Sequence, residues 1–404
     1  MKGIDRRRLL QLSGAGALAV GGSSVAASRA AAQRGASQPR FIILSCDGGG
    51  IRGVITALLL HDLDPAFLQK VSLFAGTSTG SIIALGLAAG VSIEQIVQLY
   101  RSPSNCQEIF TPYVPFEEAR AARAQLRAAL SALPPQRAGA SIDWYKLYEL
   151  IAEAVTELAF PKYQSGGLQA LLAANLPSLT LAQLASESGQ FVVAPSFQIN
   201  DGSVSGGIWQ PVLFHNLPGL SGFPDLSNTS LVDAVMCSTA APTFFPPHQL
   251  TAGLFVDGGL TANNPCATAI AAVLASSLAA RDGLTPETIA AVSIGTGNVA
   301  NSYPPSDSVF PYGILGWMWP YQDGPAPVLP LIQAMFAGSS GIDDRIAGEF
   351  LRQSSYIRVN PLFDETWSLD DCAAIEQMAE LTMRYIRTDE WRSFKQQINS
   401  LAIG

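Results

Sequence analysis

The chain has 404 residues, of which 48% are hydrophobic and 14% are charged, so it can bury a large core and intrinsic disorder is not expected. Its formal net charge is -8, and its only dense run of arginines lies at the extreme N-terminus. The basic stripe of a nucleic-acid-binding protein is therefore missing, and we expect no nucleic-acid partner.

The first 32 residues have the pattern of an export signal. Residues 6–8 are all arginine, stand directly before Leu9 and Leu10, and are followed by an apolar stretch diluted with Gly and Ser. This pattern is typical of a twin-arginine signal peptide, and the alanines at 30–32 offer a cleavage site. We expect a periplasmic or secreted mature protein without a transmembrane span. The alternative is a disordered basic tail on a cytoplasmic protein.

Short apolar runs bounded by Gly, Asp or Asn predict buried strands along the rest of the chain. They lie at residues 41–44, 71–74, 191–194, 212–214, 254–256, 290–294 and 356–359. Predicted helices lie between them at 80–89, 93–100, 117–133 and 265–280. Because strands alternate with helices, we predict an α/β fold with three α/β/α layers and a mostly parallel central sheet.

A glycine loop follows the first predicted strand, with the sequence DGGGIRG at residues 47–53. Amides of Gly48, Gly49 and Gly50 can point at an anion, which favours an oxyanion hole. Arg52 is a candidate to orient this loop or a phosphate head group, unless it is an exposed turn charge that does neither.

The same loop also fits the GxGxxG fingerprint of dinucleotide binding, through Gly48, Gly50 and Gly53. A nucleotide-binding oxidoreductase is therefore an alternative. Such a protein would need an acidic residue at the end of its second strand to hold the ribose, and the sequence there is FAG at residues 74–76.

The second predicted strand leads into the sequence GTSTG at residues 76–80. Gly76 and Gly80 permit a sharp turn that presents the Ser78 hydroxyl at a helix N-terminus, as in a nucleophile elbow. The amide of Thr79 would then be a further oxyanion donor. A glycine-rich turn with a capping serine is the structural alternative.

A third motif, DGG at residues 257–259, follows the strand at 254–256. By itself it indicates only a turn, with Gly258 and Gly259 permitting the bend. Residues just past the carboxyl ends of parallel strands gather at one edge of a sheet, however. We therefore expect Asp257 to lie near Ser78 and the glycine loop.

Two regions outside the predicted sheet are harder to interpret. Residues 102–140 are rich in Ala and Arg and indicate either a cap or a pair of surface helices. Residues 310–336 combine aromatic side chains with prolines and indicate either a lipid-contacting lid or ordinary core.

The cysteines and acidic residues indicate no metal or cofactor site. The five cysteines, at 46, 106, 237, 266 and 372, have no CxxC spacing, so we expect most of them to be buried as small apolar side chains. One disulfide among them is an alternative. The chain lacks an HExxH motif and an EF-hand loop, so we expect EDTA to leave activity intact.

Taken together and in this order, DGGGxRG, GxSxG and DGG resemble the motifs of the patatin-like phospholipase family. The resemblance covers roughly residues 39–361 of an expected 39–404 domain, including STAAPTFFPP at 238–247. It implies hydrolysis of carboxylic esters in phospholipids or other acyl lipids, at a membrane or micelle surface and without a cofactor. It also implies that Asp257 itself takes the proton from Ser78, as a dyad.

The histidines leave a second mechanism open. Ser78, Asp233 and His248 follow the chain order of an α/β-hydrolase triad, although all three histidines precede Asp257. A catalytically silent binding module on the same scaffold is a further alternative.

Overall fold

The computed structural model describes residues 41–113, 160–203, 207–299, 317, 330–351, 355–365 and 367–401. The strands are β1 (Phe41–Cys46), β2 (Leu73–Gly76), β3 (Phe191–Asn200), β4 (Gln210–His215), β5 (His248–Leu250), β6 (Gly253–Asp257), β7 (Ile289–Ile294), β8 (Asn298–Val299), β9 (Tyr356–Val359) and β10 (Leu362–Phe363). The helices are α1 (Gly53–His61), α2 (Pro65–Lys70), α3 (Thr79–Ala88), α4 (Ile93–Arg101), α5 (Pro103–Ile109), α6 (Gly166–Asn175), α7 (Leu181–Ser188), α8 (Leu231–Thr239), α9 (Gly259–Ala262), α10 (Cys266–Ala275), α11 (Ser277–Asp282), α12 (Pro330–Phe350), α13 (Ile375–Tyr385) and α14 (Asp389–Ser400).

The central sheet is mixed, with its parallel strands in the middle. The strand order is β5-β6-β3-β2-β1-β7-β9, and β4 pairs with β3 in addition. Strands β3, β2, β1, β7 and β9 are parallel to their neighbours along this series, whereas β4, β5 and β6 pair antiparallel. The predicted α/β class and layered architecture are confirmed, with an antiparallel region at one end.

Helices cover both faces of the sheet because side chains alternate along each buried strand. In β1, Ile42 and Leu44 pack against a core that contains α1, α3 and α13. Phe41 and Ile43 face the opposite way and pack against α10 and α12. A strand buried on both sides reads as the continuous apolar run seen in the sequence.

Strand β6 brings Asp257 near Ser78, but it is not the parallel strand that we predicted. It is antiparallel to β3, with Asp257 opposite Ser196, while parallel β2 pairs with the start of β3 and places Ala75 opposite Val193. Strand β4 occupies the other edge of β3, so β2 and β6 lie end to end along the same edge. The carboxyl ends of β2 and β6 therefore point at each other.

The seven predicted strands are all present, with ends that differ by a few residues. The predicted helix at 265–280 is wrong as a single element, because Ser276 adopts an extended conformation between α10 and α11. The signal at 1–32 and the predicted helix at 117–133 lie outside the described residues, as does most of 310–329. Across the described ranges, no helix is both long enough and apolar enough to span a membrane.

One disulfide joins two distant parts of the chain. Cys106 on α5 is bonded to Cys372, 266 residues later. The remaining cysteines, Cys46, Cys237 and Cys266, are free and buried, as the sequence predicts. The bond ties α5 to the segment that carries Leu369, so it connects two walls of the cavity described below.

Candidate active site

Ser78 stands at the turn between β2 and α3 in a strained backbone conformation. Its φ of 52° and ψ of -126° lie in a region that non-glycine residues rarely adopt. The turn is tight, because a Cβ on Gly76 would lie 2.1 Å from the carbonyl oxygen of Gly80, and one on Gly80 would lie 2.1 Å from that of Cys46. This strained strand-to-helix turn has the geometry of a nucleophile elbow.

Asp257 ends β6 and is completely buried. Its Oδ1 accepts a hydrogen bond of 2.7 Å from the Gly259 amide, and its Oδ2 has no partner among the described residues. Burial raises the pKa of Asp257 to about 7, although the nearby Ser78 hydroxyl and the Gly259 amide act in the opposite direction. A carboxylate with a pKa near neutrality is a far better proton acceptor than one in water.

Gly258 holds the turn after Asp257 against the neighbouring strand. A Cβ on Gly258 would lie 2.1 Å from the carbonyl oxygen of Pro195 in β3, so a larger residue would push β6 away. The Gly258 amide also donates to the carbonyl of Ser238 at 3.3 Å. These contacts fix Asp257 relative to the end of β3.

The glycine loop offers fewer free amides than the sequence indicates. The Gly48 amide donates to the carbonyl of Asn263 at 2.9 Å, so its expected role as an oxyanion donor is wrong. The amides of Gly49, Gly50 and Thr79 have no acceptor among the described residues. Gly48 instead provides space, since a Cβ there would lie 3.3 Å from Ser78 Cβ.

Arg52 is buried, so the alternative of an exposed turn charge is wrong. Its Nε donates to the carbonyl of Gly49 at 3.2 Å, and this hydrogen bond orients the backbone of the glycine loop. The neighbouring Asp47 forms a two-pronged ion pair with Arg358, with contacts of 2.8 and 2.6 Å. These hydrogen bonds of charged groups stabilise the conformation of the glycine loop.

Gly53 marks where the glycine loop packs against the nucleophile's helix. A Cβ on Gly53 would lie 2.4 Å from Thr79 Oγ1 and 2.6 Å from the ring of Tyr100. The absence of a side chain lets α1 approach the N-terminus of α3. The glycine loop and the Thr79 end of α3 are thereby held against each other.

A cavity opens above Ser78, and most of its lining is apolar. Gly50, Ser78 and Thr79 form its polar end. The apolar lining includes Ile82, Ile109, Phe110, Leu168, Phe244, Phe245, Phe336 and Leu369. An apolar lining of this kind favours contact with the apolar groups of a ligand.

The histidine of the alternative triad is paired but lies elsewhere. His248 Nε2 and Asp233 Oδ1 are 3.0 Å apart. Asp233 lies in the first turn of α8, and Ser238 near the other end of this helix contacts Ser78. Neither His248 nor Asp233 lines the cavity. The two residues of the alternative triad therefore contact each other near the other end of α8.

Comparison with known proteins agrees with this arrangement. The sequence model of the patatin-like phospholipase family matches residues 44–270, which include the glycine loop, Ser78 and Asp257. The chain belongs to this family. The loop at 48–53, which also fits the dinucleotide fingerprint, lies within the region matched by the patatin-like phospholipase model.

Two curated relatives and one solved structure illustrate the similarity. Patatin-like protein 1 of Arabidopsis thaliana is 28% identical, over 72% of this chain and 66% of its own. The cGAMP-activated phospholipase of Escherichia coli (strain TW11681) is 25% identical, over 56% of this chain and 54% of its own. VipD from Legionella pneumophila matches with a TM-score of 0.33 and 13% identity, over 66% and 51%. The chain thus spans about half to two thirds of the length of these proteins.

Several residues of this patatin-like site were not identified from the sequence. Ser238, Asn263 and Thr296 each contact the nucleophile turn or the glycine loop, and Tyr100 contacts Thr79. In the sequence Asn263 stands beside Asn264 and Pro265, a combination that by itself indicates only the start of a helix. Asn264 Oδ1 does accept from the Cys266 amide at 3.1 Å. Among the described residues, no group of three or more His, Cys, Asp or Glu is placed to bind a metal.

Proposed function

We propose that this protein is a serine lipid acyl hydrolase that cleaves carboxylic esters through Ser78 and Asp257. The observation that carries the proposal is the strained Ser78 in the lining of an apolar cavity, near the buried Asp257, whose Oδ2 has no partner among the described residues. A buried carboxylate without a cation is costly to the fold, and active sites are where such costs are found.

In the proposed reaction, Ser78 Oγ attacks the ester carbonyl while Asp257 accepts its proton. The negative charge that develops on the carbonyl oxygen is stabilised by the amides of Gly49, Gly50 and Thr79. Asp257 then donates the proton to the leaving alcohol, which leaves an acyl-enzyme. Water hydrolyses this intermediate with Asp257 again as the base. The contact between Ser78 Oγ and the Asp257 carboxylate is expected to shorten when substrate binds.

The apolar cavity supports an acyl lipid as the substrate. Side chains such as Phe110, Phe244 and Phe336 offer hydrocarbon contacts and no charge to a ligand. A relative named as a phospholipase agrees with this substrate class. Phospholipids and other acyl lipids both present the required ester at the end of a hydrocarbon chain.

We further propose that the enzyme works at a membrane or micelle surface. On α12, Phe336 forms part of the cavity wall, while Leu331, Met335, Ile342 and Ile346 are exposed. This exposed apolar side begins beside the cavity and continues along the helix, so a lipid surface against it would lie next to the cavity.

Export of the protein is also part of the proposal. Disulfides persist in oxidising compartments and are rare in the cytosol of most organisms. The bond between Cys106 and Cys372 therefore agrees with the twin-arginine pattern of residues 1–32.

The dyad and the alternative triad are distinguished by three variants assayed on the same ester. We expect Ser78→Ala and Asp257→Asn to abolish hydrolysis while both proteins remain folded, and we expect His248→Ala to retain it. Loss of activity in His248→Ala together with an active Asp257→Asn would reject the dyad. Labelling of Ser78 by a fluorophosphonate tests the silent binding module, which would not react.

A further inference from the structure

Asn263 has the contacts of a catalytic residue, although neither its position nor its type suggested one. Its side chain is 93% buried, since only 7% of its surface is exposed. Its Nδ2 donates to the carbonyl of Gly48 at 3.4 Å and to Ser340 Oγ at 2.8 Å, whereas its Oδ1 has no partner among the described residues.

The contacts of Nδ2 fix the orientation of this amide. Rotating it by 180° would bring Oδ1 against the Gly48 carbonyl and set two acceptors face to face. The backbone is fixed as well, because the Asn263 amide donates to Ser339 Oγ at 3.1 Å and its carbonyl accepts from Gly48 at 2.9 Å. Oδ1 is therefore held in one direction.

Asn263 Oδ1 lies close to both Ser78 and Asp257. A Cβ on Gly48 would lie 2.2 Å from Asn263 Oδ1 and 3.3 Å from Ser78 Cβ. A Cβ on Gly259 would lie 3.0 Å from Asn263 Oδ1 and equally far from Asp257 Oδ1. Asn263 Oδ1 and Asp257 Oδ1 are consequently no more than twice 3.0 Å apart, and Oδ2 is the second oxygen of the same carboxylate.

We infer that Asn263 Oδ1 and Asp257 Oδ2 together bind the water that hydrolyses the acyl-enzyme. This inference rests on the proposed function. Two acceptors can hold one water by its two hydrogens when they lie up to about 5.5 Å apart, twice an ordinary O–H···O distance. Its lone pair is then free to face the acyl carbon. Both acceptors would otherwise remain buried without a donor, at an appreciable cost.

The step balances without a further reactant. The water oxygen bonds to the acyl carbon, and one water proton passes to Asp257 Oδ2 while the other stays hydrogen-bonded to Asn263. The tetrahedral intermediate then collapses, the bond between the carbon and Ser78 Oγ breaks, and Asp257 returns its proton to Ser78. The carboxylic acid leaves. During acylation the same Asp257 oxygen accepts the proton of Ser78. The water site is therefore used only in deacylation, the second half of the reaction.

The test separates acylation from deacylation with a p-nitrophenyl ester, rapid mixing and intact-protein mass spectrometry. We expect Asn263→Ala to lower the deacylation rate constant about 10- to 100-fold, because the hydrolytic water is no longer held in position. The effect on the acylation rate constant should be smaller. The acyl-enzyme should then accumulate on Ser78.

The matched control is Thr296→Val, because Thr296 Oγ1 donates to the same Gly48 carbonyl at 3.0 Å. It weakens the support of the glycine loop without touching the Asn263 oxygen, so we expect no accumulation of acyl-enzyme. Equal losses of both steps in Asn263→Ala, with no accumulation, would overturn the water site. A wild-type enzyme that is never acylated on Ser78 would instead reject the proposed function.

A second variant covers the case in which Asn263→Ala does not fold. Asn263→Asp keeps the shape and an oxygen acceptor but adds a negative charge that faces Asp257. A like charge raises the pKa of a neighbouring carboxyl, so the activity profile should move to higher pH. An unchanged profile would mean that this side chain does not face Asp257 and would also overturn the inference.

Discussion

The backbone amide of Ser78 donates a hydrogen bond of 3.0 Å to the hydroxyl of Ser238. That hydroxyl donates in turn to the carbonyl of Pro195 at 2.7 Å, and the Ser238 carbonyl accepts from the Gly258 amide. One buried serine therefore connects the nucleophile's strained turn to the strand end that carries Asp257. The distance between nucleophile and base depends on this residue.

We expect Ser238→Ala to weaken both stability and catalysis. The substitution leaves the Ser78 amide buried without an acceptor, which typically costs about 1–3 kcal/mol of unfolding free energy. Because the turn loses a fixed contact, kcat should fall about tenfold or more while KM changes less. Urea unfolding and steady-state kinetics would measure the two effects.

The matched control for this variant is Ser196→Ala. Ser196 is equally buried on β3, where its backbone lies opposite Asp257, and its hydroxyl donates to the carbonyls of Cys237 and Val256 instead of binding the Ser78 turn. We expect it to lose stability and to keep kcat. Equal effects of both variants on kcat would argue against a specific role for Ser238.

The sequence predicted the strands and the three motifs because these are local features. A glycine-flanked serine after an apolar run requires a turn, whatever the rest of the chain does. It could not predict that β6 runs antiparallel or that Gly48 gives its amide to Asn263, since both depend on residues more than 50 positions apart. The Cys106–Cys372 pairing was hidden for the same reason.

The raised pKa of Asp257 predicts how activity varies with pH. Asp257 must be ionised to accept the Ser78 proton, and burial raises its pKa to about 7. The value of kcat/KM should therefore rise with pH and level off above about 7, instead of levelling off near 4. A pH series on an uncharged ester would measure this. A profile that is flat from pH 5 to 8 would contradict it.

The same buried carboxyl predicts a stability effect of Asp257→Asn. The pKa of the Asp257 carboxyl is higher in the folded protein than in the unfolded chain, where it is ordinary. The contribution of this group to the free energy of unfolding of the wild type therefore decreases as pH rises from about 4 to 7. Asparagine does not titrate. The melting temperature of Asp257→Asn relative to wild type should thus be higher at pH 8 than at pH 4.5, as scanning calorimetry would detect.

Tyr100 is expected to position an oxyanion donor. Its hydroxyl donates to the Thr79 carbonyl at 2.9 Å and lies 2.5 Å from Thr79 Oγ1, and the ring is buried. Removing the hydroxyl in Tyr100→Phe should lower kcat about tenfold with little change in KM, because the Thr79 amide acts on the transition state. A raised KM with an unchanged kcat would indicate that Tyr100 merely shapes the cavity.

The disulfide is expected to stabilise the fold and the cavity together. Cross-links that close long loops contribute about 2–5 kcal/mol to stability in typical cases. We therefore expect Cys106→Ser with Cys372→Ser to lower the melting temperature and to raise KM for long acyl chains more than for short ones. The wild type in reducing buffer should behave in the same way. A double variant that melts like the oxidised wild type would contradict this role.

The exposed apolar side of α12 is expected to contact the lipid surface. Ile342 is 53% exposed and lies in the row of apolar side chains that continues from the cavity wall. Ile342→Glu should lower hydrolysis of phospholipid vesicles roughly tenfold, since a charge replaces apolar contact area, and should leave hydrolysis of a soluble short-chain ester unchanged. Leu362→Glu is the control, because Leu362 is 70% exposed but belongs to β10 and not to α12. If both variants hydrolyse vesicles like wild type, α12 does not contact the lipid surface. A shift of the wild type to a dimer that Ile342→Glu dissociates would identify a second copy of the chain as the partner of this helix instead.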